Sequence, residues 1–156
     1  MDTVNVIEIK GDPAQITPRI FQLAADIQDW PALLPHYRYM HIRERSERHK
    51  QADYGASRDG IPVKWSARQE LFPETNRITF VHTAGLTKGM WVEWRLDKRP
   101  DGVRVSIRHK LSYRAPLVGP LFAKYIVGRL FVENIAGKTL RCIKTKVEAE
   151  YPAQNP

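Results

Sequence analysis

The chain has one cysteine, Cys142, in 156 residues, so it can build neither an internal disulfide nor a zinc site made of several thiolates. That thiol count fits a reducing compartment, and a cytoplasmic location is expected. No apolar run approaches the roughly 18 residues that cross a bilayer. The longest uncharged apolar stretch, Ala115 to Ala123, is short and holds Pro116 and Pro120. Met1 to Lys10 alternates polar and apolar residues and carries Asp2 and Glu8, where a secretory leader needs a basic start and an apolar core. A glycine loop for phosphate, a His-x-x-x-His pair and a nucleophile elbow are all missing. His36, His41 and His49 have no carboxylate at ligand spacing, so neither a metal nor a cofactor is expected.

Acid is also scarce. There are 17 Asp plus Glu against 25 Lys plus Arg, a formal charge of +8. The excess lies late in the chain: residues 95–114 hold seven basic groups and two acidic ones, and residues 124–146 hold six and one. Basic surfaces steer anionic partners, but these charges are interleaved singly among apolar residues, as on a solvated face. Nucleic acid is therefore not expected as a partner, and docking on RNA is the third of three functional readings.

What is present is a change of period along the chain. Val4 to Ile9 is rich in β-branched residues and stops at Gly11-Asp12-Pro13, which predicts a strand and a turn. Thr17 as N-cap and Pro18 at the first position predict a helix through Ala25, and Asp26 to Leu34, opened by Pro31, a second short one. From Tyr37 to Tyr113 the period is two, broken by turn residues at 46–48, 59–60, 73–76, 85–88 and 100–102, which predicts six antiparallel strands. From Tyr125 to Val147 apolar residues recur at three and four, the signature of a long C-terminal helix with one stripe. Residues 1–150 then form one α+β domain, a curved seven-stranded antiparallel sheet covered by that helix, and residues 151–156 a disordered tail.

Strand parity names the interior. Ile61, Val63, Trp65, Ala67, Gln69 and Leu71 oppose Lys64, Ser66, Arg68 and Glu70; Ile78, Phe80, His82 and Ala84 form one face; Met90, Val92, Trp94 and Leu96 oppose Trp91, Glu93 and Arg95. In the last strand Val103, Val105, Ile107, His109, Leu111 and Tyr113 alternate with a basic set. Tyr54, Trp65, Phe80, Trp94 and Tyr113 would build an aromatic wall in which Gln69, His82 and His109 are isolated polar groups, the composition of a ligand cavity. On the long helix Tyr125, Arg129 and Val132 share the inward stripe, and Arg129 there needs a partner: a ligand oxygen, Glu93 or Glu133. Leu121 to Val132 is apolar nearly all round, so it is covered either by the two short N-terminal helices and the loop at 112–120 or, as a cavity mouth, by a partner or an anionic membrane surface.

This layout, with the stretches Ile20 to Ile27, Trp30-Pro31, Leu34-Pro35, Gly89 to Trp94, and Thr139-Leu140 with Lys144 and Glu148, resembles the polyketide cyclase and coenzyme Q-binding branch of the START-like superfamily. The resemblance implies a helix-grip fold of START-like or Bet v1-like type, with a cavity for a polyketide, quinone or lipid. It implies a carrier or sequestering protein in the first place, with Trp65, Gln69, Phe80, Met90, Trp94, Tyr113, Tyr125, Arg129 and Val132 binding the ligand. It implies a cofactor-independent aromatase/cyclase in the second, with His82, His109 and Tyr54 as catalytic groups. Relatives of cyclase type carry an inward arginine on the strand of the pocket tryptophan; parity puts Gln69 there and Arg68 outside, so that cation is absent or supplied by Arg129.

Overall fold

A computed structural model describes residues 2–58, 60–85, 87–111 and 134–152. In chain order they form β1 (Asp2–Lys10), α1 (Pro13–Ala25), a 3₁₀ turn (Ile27–Asp29), α2 (Trp30–Leu33), β2 (Tyr37–Arg45), β3 (His49–Arg58), β4 (Ile61–Phe72), β5 (Arg77–Ala84), β6 (Trp91–Arg99), β7 (Gly102–Lys110) and α3 (Gly137–Glu150). The strands make one antiparallel sheet in the order β1-β7-β6-β5-β4-β3-β2. Short turns set each strand from β3 to β7 beside its predecessor. The helical segment after β1 carries the chain across the concave face to the far edge, which leaves β1 to pair with β7.

Helix α1 starts a full turn earlier than the sequence suggests. Asp12 is the N-cap, its carboxylate accepting from the Ala14 N–H at 3.0 Å, and Pro13 takes the first position. Thr17 and Pro18 therefore lie inside the helix, where the Thr17 hydroxyl donates to the Pro13 carbonyl at 2.6 Å. Asp12-Pro13 offers the same signature as Thr17-Pro18, and the stronger cap prevails.

Parity holds through most of the sheet: Trp65, Ala67, Gln69, Ile78, Phe80, His82, Val92, Trp94, Val105, Ile107 and His109 are buried, while Arg68, Arg95 and Arg108 face solvent. Ala84 departs from it. The pairing of β4 with β5 slips between Ser66 and Ala67, so Thr83 is the extra residue of a bulge and Ala84 turns outward. At the tip of β4, Ile61 is also exposed. Glu93 departs the other way: it stands on the outer face but is buried beneath Arg77 and Arg95, with oxygens 2.6 Å and 3.6 Å from their nitrogens.

Helix α3 continues a π-type turn at residues 134–136 and packs Leu140, Ile143 and Val147 onto the core. Glu148 ties it to β1, accepting from the Lys10 N–H at 2.9 Å and from Lys144, whose ammonium also reaches the Glu8 carbonyl at 2.6 Å. Arg19 on α1 grips Glu150 through two hydrogen bonds of 2.9 Å. Tyr151, expected in the tail, is partly buried against the core, its N–H donating to the Val147 carbonyl. No described helix is long and apolar enough to cross a membrane.

Candidate functional site

A cavity of about 50 Å³ lies between the concave face, α2 and the start of α3. Tyr54, Trp65, Phe80, Trp94, His82 and His109, all expected from parity, line it together. Among the described residues Trp30, Tyr37 and Thr139 join the wall, with the aliphatic Val92, Ile107, Ile135 and Ala136. Two expected residues are not in the lining: Met90, which is fully buried, and Gln69, which points at the end of α1. Tyr113, Tyr125, Arg129 and Val132 lie outside the described residues, as does the apolar stretch 121–132.

The rings touch one another. Trp30 stands edge-on to Tyr37 and Tyr54, with centroids at 5.0 Å and 6.3 Å, and lies tilted against Phe80 and Trp94. Trp65 is stacked between Tyr54 at 5.3 Å and His82 at 5.7 Å. Small-molecule sites enclose roughly 300 Å³ or more. At about 50 Å³ the cavity is small, with room for a few waters.

Its polar groups are neutral. Burial, helped by neighbouring His109, pushes His82 down to about 3, and burial alone pushes His109 down to about 4. Tyr54 and Tyr37 are driven far above the usual phenol range by burial, so both keep their protons. His82 is oriented by its Nδ1, 2.7 Å from the Thr87 hydroxyl on the β5–β6 turn. The Tyr54 hydroxyl and His109 Nδ1 have no hydrogen-bond partner among the described residues, although these side chains are only 1% and 4% exposed.

Beside the cavity, at Thr139, lies a polar contact that sequence reasoning missed. His36 is buried, its Nε2 2.9 Å from the Thr139 hydroxyl. Thr139 already donates its proton to the Ile135 carbonyl at 2.8 Å, so Nε2 must carry the hydrogen. Desolvation, and then the charge of Lys138, holds His36 near 4. Tyr37 meets the same threonine, which opposes the effect of burial on its phenol. Only the docking of α3 over the start of β2 brings these groups together, and no local pattern announces it.

A curved antiparallel sheet gripping a C-terminal helix over an aromatic cavity defines a helix-grip fold. The chain belongs to the polyketide cyclase/dehydrase and lipid transport family, which matches residues 17–134. It is 28% identical over 96 residues to a bifunctional cyclase/dehydratase of the actinorhodin polyketide synthase of Streptomyces coelicolor; the match takes in 60% of this chain and 30% of that protein. Among solved structures, the fold matches the Zhui aromatase/cyclase of a Streptomyces species with a TM-score of 0.79 at 13% identity, over 96% of this chain and 94% of that one. A protein of Thermus thermophilus matches with a TM-score of 0.77 at 21% identity, over 96% of this chain and 99% of that one.

Proposed function

We propose that this protein binds a neutral, ring-bearing hydrophobic molecule with at least one carbonyl or hydroxyl oxygen, in the cavity beneath Trp65 and Trp94, and carries or sequesters it. The reading is carried by the Tyr54 hydroxyl and His109 Nδ1, polar atoms with no hydrogen-bond partner among the described residues, set in an aromatic wall. A buried polar atom without a partner costs roughly 1–3 kcal/mol. A ligand oxygen would recover that loss while the rings supply apolar and stacking contact. Because the cavity is small, at about 50 Å³, binding is coupled to an outward shift of the wall.

Membership of the family and the cyclase/dehydratase relative favour a second reading, cyclisation of an aromatic precursor. Its chemistry is less well served: a base whose conjugate acid sits at about 3 or about 4 is far from the pKa near 7 that suits proton abstraction in neutral solution. Hydrogen bonding to a ligand oxygen asks only for a neutral imidazole and a protonated phenol.

Titration with 1-naphthol and with naphthalene, followed by tryptophan fluorescence, tests the binding reading. Wild type binds 1-naphthol more tightly; Tyr54→Phe weakens it by roughly fivefold, about 1 kcal/mol, and leaves naphthalene unchanged. Absence of a response to either compound, together with a clean organic extract of the purified protein by mass spectrometry, would refute it. Conversion of a poly-β-ketone precursor that disappears in His82→Ala and His109→Ala would establish the cyclase instead.

A further inference from the structure

The last turn of α1 is held by an arrangement the cavity does not explain. Beyond Gln22, whose carbonyl accepts from the Asp26 N–H at 2.9 Å, its carbonyls have no helical partners ahead, and it carries no basic residue of its own. The donors come from the sheet. Lys50 on β3 and Gln69 on β4 are registered opposite one another on the inner face, and both are buried. The Lys50 ammonium donates to the Ala25 carbonyl at 2.9 Å, and Gln69 Nε2 donates to the same oxygen at 3.2 Å. Burial lowers the Lys50 pKa, opposed by nearby Asp26, and the negative end of the helix helps hold the charge there.

The same turn holds Trp30. Its indole N–H donates to the Leu23 carbonyl at 3.0 Å, two residues before Ala25. Trp30 then contacts Tyr37, Tyr54, Phe80 and Trp94. A movement of this turn relative to the sheet is therefore passed to the indole at the centre of the site.

We infer that Lys50 and Gln69 are positioning residues for the ligand cavity: by clamping the Ala25 carbonyl to the inner sheet they set how deeply Trp30 enters the aromatic cluster, and so which ring systems fit beneath it. The inference rests on the binding reading. A buried lysine is a costly way to finish a helix that a glycine could end, and the cost is consistent with the cross-tie it makes between α1 and two strands. Neither residue lines the cavity, so their effect is exerted wholly through the α1 turn and Trp30.

The test labels the protein with 5-fluorotryptophan, assigns the Trp30 signal with Trp30→Phe, and takes Trp91 on the outer face as the internal control. Lys50→Met, which keeps the stem and removes the donor, shifts or broadens the Trp30 resonance, leaves Trp91 in place, and weakens 1-naphthol binding roughly tenfold, about 1.4 kcal/mol. Lys50→Arg, which keeps a donor, restores both. Gln69→Met repeats the measurement if Lys50→Met does not fold. An unmoved Trp30 signal, or a moved one with unchanged affinity, overturns the inference. If wild type fails to bind 1-naphthol, the binding reading falls, while the resonance alone decides whether the clamp places Trp30.

Discussion

Three buried histidines make the residue scale sensitive to pH. His36, His82 and His109 are held at about 4, about 3 and about 4, against the ordinary 6.5 they regain on unfolding. Below pH 6.5 the unfolded chain takes up protons that the folded chain refuses. Stability is therefore complete above that pH and falls as pH drops toward 4, by up to about 1.4 kcal/mol per pH unit for each histidine. The carboxylates with lowered values, such as Asp53 beside Ser66 and Arg43, add their own loss only at lower pH. Urea midpoints are expected to hold steady from pH 8 to 7 and to decline steeply from 6 to 5, with a shallower decline in His109→Phe. Equal wild-type midpoints at pH 7.5 and 5 would mean that these imidazoles are not held neutral by burial.

At the scale of elements, caps and close approaches decide more than propensity does. Asp12 satisfies an orphan N–H at the start of α1, so Asp12→Ala is expected to cost about 1 kcal/mol, read as a lower thermal midpoint, and Asp12→Ser to recover most of it. Gly102 is constrained differently: a Cβ there would stand 2.0 Å from the Ile9 carbonyl oxygen, at the point where β1 lies against β7. These devices also show how far the chain could be read in advance. The alternation of Val103 to Leu111 with Arg104, Arg108 and Lys110 fixes β7 and its inward face, because a one-residue slip would bury arginines. Tyr54, Trp65, Phe80, His82, Trp94 and His109 were legible as one wall for the same reason. Hidden from that logic were the bulge at Thr83 and the part of Trp30, Tyr37 and Thr139 in the cavity wall, with His36 bonded to Thr139. Those four meet through the docking of helices, and the sequence carries period and parity but not the angle at which one element lies on another.

For the molecule as a whole, net charge is a poor guide to its partners. Residues 95–114 are strongly basic in sequence, yet the sheet gives many of those charges a neighbour. Arg104 pairs with Glu8, Arg108 meets Asp2 at 2.7 Å, and Arg95 lies beside Glu93. Lys110 sits over the Trp91 ring, 5.5 Å from its centroid. The first strand, acidic in sequence, is paired along its length with the basic last one, so the fold neutralises what the chain keeps apart. Nucleic-acid affinity grows with the number of phosphates that free cations can neutralise, and each such contact steepens its dependence on salt. A fluorescent single-stranded RNA is therefore expected to show no saturable binding near physiological salt. Asp2→Asn combined with Glu8→Gln, which uncovers Arg108 and Arg104, should create weak binding that disappears as salt is raised. Tight wild-type binding with a steep salt slope would favour RNA docking over hydrophobic-ligand binding and show that the paired arginines exchange their carboxylates for phosphates.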